Sequence, residues 1–283
     1  MKKKNNLTGI SDDSDHENDF ESIGITDNFM FSSVFEKNKE LCKRLLESIL
    51  GFVLDVLNYA EREKTISADN KSKGVRLDII ARATGRVYNI EMQNSKVDDI
   101  PRRIRYYQSL LDIEMLHVGD TYSDLKDAYV IFICRFDQFG RGKYVYRYST
   151  NDEEDGYPFG DGAKKIVVNA SGDHGEITQE LREFIDYIND PGTIEELSQS
   201  NWVRQVDERV KFNRHSAEWR KDYMSFEVIL QDKFKEGKAE GKAEGIDMAR
   251  KVYQHYYAGE DVRKIASDLG YSEDEVKRIL ELK

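Results

Sequence analysis

A chain of 283 residues, 39% hydrophobic and 34% charged, is long enough for one substantial domain and an accessory piece. Its formal net charge of −11 excludes a broad non-specific coat on nucleic acid but leaves room for a local basic strip. The longest strongly apolar run, Tyr129–Cys134, is far short of the ~20 residues that a bilayer span requires, so no membrane partner is expected.

The opening stretch has basic residues with no apolar run behind them, and reads as a disordered acidic tail over residues 1–22 rather than a secretory leader. Cys42 and Cys134 have no metal-type spacing and the five histidines are scattered, which argues against zinc and for a reducing, cytoplasmic setting. From Thr26, "TDNFMFSSVFEKNKELCKRLLESILG" reads as helical, with Phe31, Phe35, Leu41, Leu45 and Leu46 near the helical period and Gly51 as the stop. A short strand is expected between Val53 and Ser67.

Next comes "KGVRLDIIARATGRVYNIEMQ", two alternating segments joined through Thr84-Gly85, each interrupted by an acid, Asp78 and Glu91. With a two-residue loop, Ala83 pairs with Arg86 and Asp78 falls opposite Glu91. A four-residue loop shifts the partners but keeps both acids on one face, because strand side chains alternate with period two. Directly opposed residues have Cβ atoms about 4.5–5.5 Å apart, so two bare carboxylates there repel each other. Either a hard divalent cation sits between them, or both face water with Arg76 and Arg86 as neighbours.

A helix follows Asp98-Asp99, with Pro101 in its first turn and a stripe of Ile100, Ile104, Tyr107 and Leu111. Strands are predicted at Ala128–Cys134, Tyr144–Ser149 and Lys165–Asn169, then a helix over Glu176–Ile188. The order predicts a mixed α/β domain over 23–195. Beyond it lies a helical linker over 196–250, with glycines at 237, 241 and 245 and interleaved Glu and Lys. Each glycine costs about 1 kcal/mol of helix stability. That stripe is either a solvated linker face or a place where two helices approach closely, which would support a homodimer through the C-terminal helices. The last segment, 251–283, has a helix-turn-helix pattern, with Ser272 and Glu275 as a capping box. Glu273, Asp274 and Glu275 open its second helix where a base reader wants Arg, Asn or Gln, which favours an interaction module over a DNA reader.

Asp78, twelve residues, then Glu91-Met92-Gln93 resembles the D…(D/E)xK motif of the PD-(D/E)xK nuclease superfamily. "GVRLDIIARATGRVYNIEMQ", "RRIRYYQSLL" and "YVIFICRFDQFGRG", in that order, are similar to the Rpn-type recombination-promoting nuclease/transposase family. The resemblance implies a restriction-endonuclease-like mixed sheet flanked by helices, here with a helical C-terminal extension, and a Mg²⁺- or Mn²⁺-dependent DNA endonuclease. It implies that Asp78, Glu91 and the Met92 backbone carbonyl hold the metal and that Gln93, where the superfamily usually has Lys, orients the attacking water. The source of positive charge is then unassigned. Arg102, Arg105 and Tyr106 are candidates for that charge and for phosphate contact; a solvated face and a packing aromatic are their alternative reading. Where the family has an acid three residues before the match to Phe31, this chain has Asn28, with Asp27 as an N-cap candidate beside it. The alternative function is a catalytically degenerate nuclease fold that acts as a DNA- or protein-binding module.

Overall fold

The structure, a computed structural model, describes residues 20–66, 75–195 and 201–281. The predicted tail therefore lies outside the described residues up to residue 19, as does the Arg76 side chain. Phe20 already belongs to the folded body, buried with its ring 6.5 Å from that of Trp219.

The first helical stretch is two helices, α1 (Asn28–Glu36) and α2 (Lys39–Leu50). Asp27 caps α1 by accepting the Met30 amide at 2.9 Å. The predicted single helix breaks at Asn38, whose side chain donates to the Val34 carbonyl at 2.7 Å while its own backbone leaves the helical region. Gly51 ends α2 in the left-handed conformation, as expected of a helix stop.

Six strands follow: β1 (Tyr59–Ile66), β2 (Val75–Ala83), β3 (Arg86–Gln93), β4 (Asp127–Cys134), β5 (Val145–Tyr148) and β6 (Ala163–Asn169). They form one mixed sheet in the order β1-β2-β3-β4-β6-β5, antiparallel at β1/β2, β2/β3 and β5/β6 and parallel at β3/β4 and β4/β6. A parallel β3/β4 pair needs a long crossover, and α3 (Ile100–Met115) supplies it. The β2/β3 turn is the two-residue Thr84-Gly85 loop, with Ala83 opposite Arg86 and Gly85 at φ 69°.

The core lies on both faces of the sheet. On one, α3 lays Ile100, Ile104, Tyr107 and Leu111 over Ile80, Val87, Val130, Phe132 and Cys134. On the other, α1 packs on β1–β3, and α2 meets α4 (Gln179–Asn189) and α5 (Asn201–His215). Phe35, Phe184 and Trp202 make the aromatic contacts there. Helix α6 (Ala217–Tyr257) follows. By its contacts the chain divides into two compact units, to Arg220 and from Lys221.

The second unit holds α7 (Val262–Leu269) and α8 (Glu273–Ile279) around Val252, Ile265, Ala266 and Val276. The Ser272/Glu275 capping box is formed, with Ser272 accepting the Glu275 amide at 3.2 Å. Gly237, Gly241 and Gly245 have open space where a Cβ would stand, so none of the described residues demands glycine there.

Candidate active site

The β2/β3 ladder runs regularly from Ala83↔Arg86 to Ile79↔Ile90, and the next position brings Asp78 to Glu91. There side chains take over from the main chain. The Asp78 amide donates to Glu91 Oε1 at 3.1 Å, and the Met92 amide donates to Asp78 Oδ2 at 3.0 Å. Glu91 thus takes the amide of Asp78 itself, and Asp78 the amide that follows Glu91, where the regular ladder stops. Asn89, two residues before Glu91 on the same strand, points its Nδ2 at Glu91 Oε1 from 2.6 Å.

The acids are not on a solvated face. Glu91 is 4% exposed and Asp78 is half-buried. Burial first, then the charge of Asp78, pushes the Glu91 carboxyl well above the usual carboxylate range, against the bond from the Asp78 amide, the charge of Arg103 and the Asn89 bond. Arg86, the expected neighbour, lies 5.4 Å from the Phe52 ring at the turn end of the hairpin. A buried acid pair under mutual repulsion is costly unless something compensates it.

Gln93 ends β3, and each end of its amide makes a hydrogen bond. Its Nε2 donates to the Ser95 carbonyl at 2.8 Å, and its Oε1 accepts from Arg103 Nη1 at 3.0 Å. Arg103 is the residue that sequence reasoning passed over. Its guanidinium is half-buried, donates from Nη2 to the Tyr107 hydroxyl at 3.1 Å, and stands 5.3 Å from the Phe132 ring centroid. Burial opposes its charge, but the Tyr107 bond and the negative charges around it, Glu91 among them, hold its pKa above the usual arginine value.

The candidates named from sequence are arranged differently. Arg102 and Arg105 are exposed on α3, and Tyr106 packs partly buried against the α3-side core. A signal for Arg103 did exist. It lies three residues after Ile100 and four before Tyr107, on the apolar stripe, whereas Arg102 and Arg105 fall off it.

Asp27 serves as an N-cap, as read from the sequence. The chain just before α1 nonetheless reaches the site's edge, because Asn94 donates to the Thr26 carbonyl at 2.5 Å.

The donor set fits a hard cation. It offers two carboxylates and neighbouring main-chain oxygens, with no His or Cys, which suits Mg²⁺ or Mn²⁺ rather than zinc. The buried Glu91 carboxyl, held against Asp78 across the two strands, is the observation that a cation fits at this place. Elsewhere among the described residues, His255, Glu260 and Asp268 bring three possible ligand atoms within 4.8 Å of one another. There the Lys264 ammonium already neutralises Glu260 from 3.0 Å, and His255 Nδ1 is 2.6 Å from the same carboxylate, so a salt-bridge cluster accounts for it.

A family model described as PD-(D/E)XK nuclease family transposase matches residues 26–227. That span holds every residue of the acid pair and its surroundings. No curated protein and no solved structure matches the chain.

Proposed function

The chain belongs to the PD-(D/E)XK nuclease family transposases, and on that premise we propose that it is a Mg²⁺- or Mn²⁺-dependent DNA endonuclease working at the Asp78–Glu91 pair. The observation that carries this reading is the reciprocal bonding of two carboxylates across the β2/β3 gap, one of them buried and resisting ionisation.

Asp78 and Glu91 would hold the ion. The Met92 carbonyl would be the third donor, since a strand residue turns its N–H and C=O to the same neighbour and the Met92 N–H faces Asp78. When bound, such an ion polarises a phosphate oxygen and lowers the pKa of a water for in-line attack. The chain's own residues set up that chemistry. Asn89 fixes the Glu91 carboxylate, and the Asp78–Met92 bond fixes Asp78. The roof of α3 over this face limits competing water around the acids. Hydrolysis adds water oxygen to phosphorus, breaks one P–O ester bond, and leaves a phosphate monoester and an alcohol. Arg102 and Arg105, exposed on α3, and Tyr106 beside them would contact backbone phosphates.

No helix among the described residues is long and apolar enough to cross a membrane. The chain's acidity predicts weak duplex affinity at physiological salt, since few phosphates can be neutralised. A homodimer through the C-terminal helices would bring two such sites to one duplex.

The test is supercoiled plasmid with Mg²⁺ or Mn²⁺ and an EDTA control. The wild-type chain yields nicked or linear product only with metal, and Asp78→Ala and Glu91→Ala yield none while keeping their fold. Binding of DNA without any metal-dependent cleavage would favour the non-catalytic module instead, and cleavage surviving both substitutions would overturn the assignment.

A further inference from the structure

We infer that Arg103 is the cation that receives the scissile phosphate, and that Gln93 is a positioning residue that aims it. The inference rests on the nuclease reading of the acid pair, because it concerns the same cleft.

The superfamily's usual Lys would place an ammonium at position 93. Glutamine carries no charge, and this glutamine spends one of its two Nε2 donors on the Ser95 carbonyl and accepts Arg103 at its Oε1. What the structure gives Gln93 to hold is a guanidinium.

Arg103 has the marks of an anion receiver. It is half-buried, yet it forms no salt bridge among the described residues. Two of its N–H groups go to neutral oxygens, Gln93 Oε1 and Tyr107 Oη, and among the described residues no partner takes the other three of a guanidinium's five donors. Its plane is fixed by Tyr107 and Phe132, whose ring centroids lie 5.6 and 5.3 Å away. A guanidinium held flat with spare donors pairs with phosphate oxygens in a two-pronged way that an ammonium cannot match. Gln93 follows Glu91 by two residues and so shares its face of β3, which puts the guanidinium that Gln93 holds on the acids' side of the sheet. A phosphodiester that meets the acids therefore meets Arg103 as well. Arg102 and Arg105, one position before and two after, are turned outward.

The arrangement makes an unusual genetic prediction. Restoring the superfamily's residue with Gln93→Lys sets an ammonium against Arg103 and removes its acceptor, so this single change should lower plasmid cleavage about tenfold. Arg103→Met keeps the apolar stem over Tyr107 and Phe132 and should lower kcat about a hundredfold or more, the scale of one lost transition-state donor. Combined, the two changes should recover at least about tenfold over Arg103→Met alone, because Lys then has the place to itself. Arg103→Lys keeps the charge without the fork and should fall between wild type and Arg103→Met.

A second readout does not depend on turnover. Binding of a fluorescein-labelled duplex by the full chain, followed by anisotropy in Ca²⁺ across a salt series, should show the slope of log K against log salt reduced by about 0.9 in Arg103→Met. The slope should be unchanged in Arg103→Lys. Circular dichroism melts check that every variant is folded.

The two readings fail separately. Full cleavage by Asp78→Ala overturns the nuclease reading. An inactive Asp78→Ala beside an Arg103→Met with wild-type kcat and slope overturns the Arg103 inference alone. So does a double variant no better than Arg103→Met. If the wild-type chain never cleaves, the salt slope decides: a reduced slope supports Arg103 as a phosphate contact, and an unchanged slope overturns it.

Discussion

Replacing Glu91 with glutamine should stabilise the metal-free protein, an unusual result for a buried residue at a proposed catalytic centre. Glutamine keeps the shape and can still accept from the Asp78 amide and Asn89 Nδ2, both of which reach Glu91 Oε1. What it removes is a charge that burial and Asp78 both oppose. Two like charges about 5 Å apart, at an effective dielectric near 20, repel by about 3 kcal/mol. Lost attraction to Arg103 offsets part of that, leaving a net gain of about 1–2 kcal/mol, or about 2–8 °C in Tm for a unit of this size.

The gain has a direction in pH. The folded state raises the Glu91 pKa, so it holds the proton more tightly than the unfolded chain, whose Glu titrates near ~4.3. Near that pH wild type and Glu91→Gln should melt alike. As pH rises through the elevated folded pKa, the metal-free wild type loses stability while the variant keeps it. Differential scanning fluorimetry in EDTA from pH 4.5 to 8.5 measures the gap. Adding Mg²⁺ should reverse the order, because ligand at about 100 times its Kd stabilises the form that binds it by about 2.7 kcal/mol. A variant less stable than wild type at pH 8 in EDTA, or a gap that ignores pH, would refute the reasoning.

Other consequences lie away from the acids. Arg82 Nη2 on β2 and Glu114 Oε1 on α3 meet at 2.5 Å with both side chains mostly buried, so Glu114→Ala should cost about 2–3 kcal/mol in urea unfolding. A loss under about 0.5 kcal/mol would show that the pair does not tie helix to sheet. Cys42 and Cys134 are buried, and burial pushes both thiols up to about 12. Ellman's reagent should therefore leave them untouched in the native protein and count two thiols once it is unfolded; fast native labelling would contradict the packing.

What could be read from sequence was what depends on neighbours along the chain. The hairpin register follows from two residues, Thr84 and Gly85, and from the period of a strand, so the meeting of Asp78 and Glu91 was legible. The opening of the ladder at that position was not, because it depends on carboxylates replacing main-chain partners across the gap. The stripe of α3 was legible from Ile100, Ile104, Tyr107 and Leu111, all buried. Its charged member was missed because arginines are usually placed in solvent, and Arg102 and Arg105 obey that habit while Arg103 does not. The break between α1 and α2 was missed for a smaller reason: Lys37-Asn38 has no Gly or Pro, and the stop is made by the Asn38 side chain itself.

The account stands on Asp78 and Glu91 forming one seat for a divalent ion, and Mn²⁺ titration calorimetry tests it most directly. Using His255→Ala as the background takes away the nitrogen ligand of the three-residue cluster in the second unit, which weakens it as a competing site. The account predicts one Mn²⁺ per chain, lost in both Asp78→Asn and Glu91→Gln. Stoichiometry and affinity unchanged by those two substitutions would contradict it.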